Sequence, residues 1–203
     1  MTNALPALLL AKLSDQEDRL ERLLDLIPPD KLAWHPPVPS PTFALNEVLG
    51  HLLECLAGVC ATLYAVYPKE LARLIALRAL PVNHPCAIEE ARQRMREYMR
   101  HIGEGFRLLS DQDLARQIPT VFVPGGEAVL TVLLGNLEHL INHKHQCFFY
   151  LKLIGVPVTT RDLYRWRGEG FPWASVVLSG MVEPSVLEAV LPVSGFFFAA
   201  SKG

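Results

Sequence analysis

The stretch Val129-Leu-Thr-Val-Leu-Leu-Gly-Asn136-Leu-Glu-His139-Leu-Ile-Asn-His143-Lys-His-Gln146-Cys-Phe-Phe-Tyr150 decides how this chain folds. It follows Pro124-Gly125-Gly126, runs on to Ile154, and stops at Gly155 with Pro157 two positions later, the pattern of a helix and its C-terminus. Wound as a helix, it puts Asn136, His139, His143, Gln146 and Tyr150 in one line. The charged residues Glu138, Lys144 and Lys152 fall on other arcs, so this seam is polar but uncharged, unlike an ordinary solvated face. His139 and His143 stand one turn apart, a spacing that lets two imidazoles reach one metal ion from one helix. His145 is turned about 120° away from His139, which makes it a surface or supporting residue.

Three more helices are read upstream by the same periodicity. The first runs from about Ala4 to Ile27 and halts at Pro28-Pro29. A proline-rich crossing over Lys31 to Pro41 leads to a second from about Thr42 to Tyr67, stopped by Pro68, and a third spans about Ala87 to Leu109. Almost nothing alternates with the period of a strand, so the fold class is all-α, a four-helix bundle over 1–157. Its connections, roughly 14 to 20 residues long, exceed ordinary bundle loops and are expected to pack over an end of the bundle and wall a site. Residues 158–203 form a C-terminal extension expected to pack on the bundle. Within it Tyr164, Trp166, Phe171 and Trp173 are interspersed with glycines, and a short helix is expected over 184–191.

Composition narrows the function. The chain has 203 residues, half of them hydrophobic, enough for a core without staples. Nineteen basic against twenty-one acidic residues leave a net charge of −2, no footprint for a nucleic-acid backbone. Arg92, Arg94, Arg96, Arg100 and Arg107 cluster on the third helix, but Met95, Met99, Ile102, Phe106 and Leu109 take its buried stripe, so the arginines read as solvated surface. Cys55, Cys60, Cys86 and Cys147 show no paired spacing and read as small hydrophobes in a reduced, cytoplasmic chain. The apolar opening Ala4 to Ala11 lacks the basic residues of a secretion signal. Glu183, Pro184, Glu188 and Pro192 interrupt the apolar tail short of the ~20 residues of a membrane span. No membrane partner is expected.

A third metal ligand must come from another helix, and the second offers Glu47, His51 and Glu54 on a similar arc. His51 is the natural choice, although on its own it reads equally as a polar residue on an exposed side. Glu47 and Glu54 are candidates to orient the imidazole through its second nitrogen or to handle protons. A carboxylate-bridged di-iron site is the rival reading, but it requires Glu-x-x-His pairs, which this chain lacks.

Taken together, His139-Leu-Ile-Asn-His143-Lys-His-Gln146, then Tyr150-Leu, Gly155 and Pro157, resembles the fourth-helix signature of the DinB/YfiT-like superfamily, H-x-x-x-H-[RK]-x-Q. Leu32-Ala-Trp34, Pro36-Pro37 and Leu45-Asn-Glu-Val-Leu-Gly-His51-Leu-Leu-Glu54 resemble that family's crossing into its second helix. The resemblance covers about 1–157 and implies an up-down-down-up bundle, a homodimer, and a divalent metal on His51, His139 and His143. Zinc or nickel suits three imidazoles, with iron also possible. It further implies a metal-dependent hydrolase or an S-transferase using a low-molecular-weight thiol such as bacillithiol, mycothiol or glutathione. Its substrate is then a small molecule bound at an open coordination position. Gln146 and Tyr150 are candidate substrate contacts or supports, Trp34 reads as core, and no residue is singled out as catalytic. The alternative is a non-enzymatic dimerising helical scaffold with a structural metal or none.

Overall fold

The computed structural model describes residues 3–38, 41–74, 84–120 and 123–164. Four long helices dominate: α1 (Ala4–Asp25), α2 (Leu45–Val66), α3 (Ile88–Leu108) and α4 (Val129–Leu153). On α1 the buried positions Leu9, Leu13, Gln16, Leu20, Leu23 and Leu24 recur at threes and fours, one inward face of an amphipathic helix. α2 begins later than the sequence suggests because Ala44 is extended and the Glu47 carboxylate folds back to accept the Ala44 N–H at 2.7 Å. α4 ends as expected, with Gly155 at φ 85° letting Val156 N–H reach back to the Leu151 carbonyl at 2.9 Å.

Side-chain pairs between helices set their directions. Gln16 of α1 meets Lys144 of α4, and Arg22 meets Asp162 beyond α4, so these two helices run parallel. Arg92 near the start of α3 pairs with Glu21 and Asp25 near the end of α1, so this pair is antiparallel. Cys60 and Tyr64 of α2 meet Tyr98 and His101 of α3 in the same order, making that pair parallel. The bundle is therefore up-down-down-up, with α2 packed against both α3 and α4. α2 is long and apolar enough to cross a membrane by length and composition, but Val48, Leu52, Leu53, Leu56 and Leu63 are all buried in the common core. That is the environment of a central bundle helix.

The described part of the α3–α4 connection is tied to the bundle. Between α3 and α4, Asp113 accepts the Tyr67 O–H at 2.8 Å and the Ser110 N–H at 3.0 Å, tying the loop to the end of α2. A bond from the Ser110 hydroxyl, joined by these two, holds the Asp113 carboxyl below its usual range against burial. The loop then forms a short antiparallel pair, β1 (Gln117–Ile118) and β2 (Glu127–Ala128), which the periodicity did not announce. Gly126, at φ 88°, turns the chain between them, where a Cβ would stand 2.4 Å from the Ile118 carbonyl oxygen. After α4, Val158 is buried and the single turn α5 (Thr160–Leu163) is capped by Thr159 and Asp162. Trp166, Phe171, Trp173 and the helix expected over 184–191 lie outside the described residues.

The arginines of α3 are not all solvated surface, contrary to the sequence expectation. Arg96, Arg100 and Arg107 are exposed, but Arg92 is held by acidic groups of α1, and Arg94 donates to Cys86 Sγ at 3.2 Å and Tyr98 Oη at 3.1 Å. Both flank the apolar stripe of α3, so their stems lie along the bundle and their heads find partners at its edge. His101 and Tyr98 are also buried on this helix. Arg100 can only donate, so at 2.8 Å it makes His101 Nε2 an acceptor. His101 Nδ1–H then donates to Tyr64 Oη at 2.5 Å, and the phenol donates onward to the Leu74 carbonyl at 3.3 Å. The imidazole is neutral in this chain of bonds, and burial, with Arg100 beside it, lowers its pKa.

The ordinary imidazole value is 6.5 and the folded value lies below it, so the unfolded chain binds this proton first and stability is lost as pH falls below about 6.5. The urea midpoint is expected to drop between pH 7.5 and 5.5, and His101→Gln should make that slope shallower; an unchanged slope contradicts the assignment. At Gly50, a Cβ would stand 1.9 Å from the His84 carbonyl oxygen, which is backbone and cannot turn aside. Gly50→Ala should therefore destabilise by about 1–3 kcal/mol in denaturant titration, despite the roughly 1 kcal/mol that alanine normally gains over glycine in a helix.

Candidate metal centre

α2 and α4 cross antiparallel at very short range. A Cβ on Gly58 would fall 2.1 Å from Asn136 Oδ1, so only glycine lets Asn136 seat there, and Asn136 Nδ2 donates to the Val132 carbonyl at 2.9 Å. Asn136 thus belongs to the helix crossing. One turn further along α4, and two turns back along α2, the same approach brings His51 opposite His139 and His143. The ring centroids stand 4.9 Å apart for His51 and His139, 4.3 Å for His51 and His143, and 4.7 Å for His139 and His143. One ligand atom from each lies within 4.8 Å of the others, and among the described residues no carboxylate oxygen joins the group.

The surrounding hydrogen bonds determine which nitrogens face inward. Glu54 accepts from His51 Nδ1 at 2.9 Å, leaving Nε2 for the centre. Gln146 donates its amide N–H to Tyr150 Oη at 3.1 Å, which turns its Oε1 toward His143 Nδ1 at 2.8 Å. Nε2 of His143 is therefore also inward. Phe43 lies tilted on the His51 ring at 5.4 Å, and the half-buried Trp34 stands edge-on to Tyr150 at 5.4 Å. Trp34 packs on the core as expected while supporting the Tyr150–Gln146 pair. Burial lowers the pKa of His139, with the neighbouring His51 adding to the effect. It also lowers that of His143, against the opposing bond from Gln146. Both rings are neutral at pH 7, the form that ligates metal.

Of the sequence candidates, the structure brings together His51, His139, His143, Glu54, Gln146 and Tyr150. Glu47 is not among them, because its carboxylate caps α2 on the Ala44 N–H. His145 Nδ1 bonds the Ile141 carbonyl at 2.9 Å, away from the triad. Periodicity did not single out Lys144, which is 2% exposed and donates to Gln16 Oε1 at 2.6 Å between α1 and α4. Burial pushes its amine down to about 8. Its spacing with the buried residues Leu140, Cys147 and Leu151, together with a glutamine in the leucine stripe of α1, was the available signal.

Residues 12–147, a span holding all three histidines, match the model of the DinB superfamily. The chain belongs to the DinB superfamily. A structural relative is a DinB-like protein, YjoA, from Bacillus subtilis, known from a crystal structure at 2.30 Å resolution. It superposes with a TM-score of 0.53 at 14% identity, covering 74% of this chain and 96% of that one, and so shares the fold. No curated protein matches the chain. The DinB-superfamily chain carries a donor set of three imidazoles, two of them oriented from behind. This set could hold a divalent metal ion.

If the supports orient the ligands, removing them weakens binding without touching the ligands. Glu54→Ala and Gln146→Ala should each lower zinc affinity on the order of 10–100-fold, with helix content unchanged by circular dichroism. Unaltered affinity in both variants would contradict the supporting role.

Proposed function

We propose that His51, His139 and His143 hold a divalent metal ion and that the protein is a metal-dependent enzyme acting on a small molecule. We favour transfer of a low-molecular-weight thiol to an electrophile as its reaction. The observation that carries this reading is the neutral donor set, three inward nitrogens with no carboxylate among them. A divalent ion there supplies a Lewis acid whose charge the ligands leave unneutralised, which acidifies a thiol or a water molecule.

The residues do the rest of the work. Glu54 stands behind His51 on the Nδ1 side, so it orients the ring and strengthens its basicity rather than occupying the substrate position. Gln146 and Tyr150 hold His143 in the ligating tautomer. His139 sits on the exposed edge of the cluster, which makes that edge the entrance for substrate. Hydrolysis is the second reading; it uses the same site with water in place of thiol. The four buried, unpaired cysteines favour work in a reducing, cytoplasmic compartment. We extend the proposal to a homodimer, with a scaffold carrying a structural metal as the contrasting case.

Elemental analysis of tag-free protein should give near-stoichiometric metal in the wild type and its loss in His143→Ala, with helix content retained. Thiol consumption in the presence of electrophiles, run beside ester and amide hydrolysis, should then show turnover in the wild type alone. Metal binding without any turnover, with a lower melting temperature on metal removal, would support the scaffold instead.

A further inference from the structure

The outward face of α4 is unlike a solvated surface. Leu134, Phe149 and Leu153 are 45%, 58% and 64% exposed, and the half-buried Ile141 lies on the same side of the helix. From Leu134 to Leu153 this apolar strip runs about 29 Å at 1.5 Å per residue. The exposed positions of α3 include instead Arg96, Glu97 and Arg100, the usual charged covering of a bundle helix. A strip of large apolar side chains turned to water marks a surface that meets a partner.

The charges on this face identify the partner. Among its described residues the formal charges are Glu138 and Lys152, one of each sign and both exposed. They lie about two turns to either side of His145, and the three fall on one line of the helix. Lys152 Nζ rests over the Phe148 ring at 4.8 Å, which fixes the ammonium on this side. A line with an acid toward one end, a base toward the other and apolar groups along it is complementary to itself read backwards. We infer that the outward face of α4 packs antiparallel on the same face of a second copy, about a two-fold axis crossing the helix at His145. The inference specifies the homodimer proposed above and rests on it. In such an isologous interface each contact occurs twice. Glu138 of each copy stands opposite Lys152 of the other, and Phe149 of each falls beside Ile141 of the other. Parallel pairing would instead set Glu138 on Glu138 and Lys152 on Lys152, so charge selects the antiparallel sense.

Sedimentation velocity of the whole chain over a range of concentrations tests this. The wild type should be a dimer. Glu138→Lys or Lys152→Glu alone turns both ion pairs into like-charge pairs and should raise the dissociation constant on the order of 10-fold. The double reversal restores the pairs with their signs exchanged and should return the constant to within about threefold of the wild type. Phe149→Glu should leave monomer alone, with helix content unchanged by circular dichroism. Recovery in the double reversal cannot come from damaged folding, so it separates an interface from a folding defect. A wild-type dimer that none of these changes weakens, or a double reversal no better than the single ones, would overturn the inference and leave the homodimer standing. A wild type that is monomeric at every concentration would sink the homodimer reading and the inference with it. If Phe149→Glu then lowers the melting temperature of that monomer, another part of the same chain covers the face.

Discussion

The close antiparallel crossing of α2 and α4 is the constraint on which the rest of the molecule depends. The missing Cβ of Gly58 leaves room for the Asn136 amide between the two helices, and the same crossing brings His51 to within ring contact of His139 and His143. A wider separation would leave three unrelated polar residues on two helices. Apolar burial along α2 supplies the driving force, since this helix packs on both α3 and α4 through a nearly continuous face of leucine and valine. Fold and site are thus consequences of one helix pair.

Among the described residues, buried polarity elsewhere is placed opposite partners of fitting chemistry, Arg19 Nε being an exception. Lys144 meets Gln16, His101 links Arg100 to Tyr64, and Asp113 gathers the donors at the end of α2. Arg92 and Arg94 close the edge of α3 on acidic groups, a phenol and a thiol. The three histidines stand apart from this pattern, because their inward nitrogens face one another instead of a donor or an anion. Such an arrangement could hold a cation, and the bonds from His51 to Glu54 and from His143 to Gln146 orient those two rings toward the shared centre.

Much of this was legible in the sequence. Proline and glycine marked the ends of the helices, and the one-turn spacing of His139 and His143 survived into the structure because it is a local property of a single helix. His51 was the natural third ligand on the second helix, yet alone it read equally as an exposed polar residue, and the likeness of two separated motifs to the DinB/YfiT-like pattern decided between the two. What escaped were features that require knowledge of the opposite helix. Lys144 carries a charge in any periodicity count, yet its position faces α1, where Gln16 stands ready as an acceptor. Arg92 and Arg94 read as surface until α1 places Glu21 and Asp25 beside the first, and Cys86 and Tyr98 surround the second. Glu47 shares the arc of His51, but its proximity to the helix start gave the Ala44 N–H first claim on it.

The most direct test of the account is X-ray absorption spectroscopy at the zinc edge on the metal-loaded wild-type protein. It should show imidazole scattering from three nitrogen ligands at about 2.0–2.1 Å, with room for a further light donor. A spectrum dominated by oxygen or sulfur ligands, without the outer-shell scattering of imidazole rings, would mean that the metal lies elsewhere and that the paired helices hold their histidines for another reason.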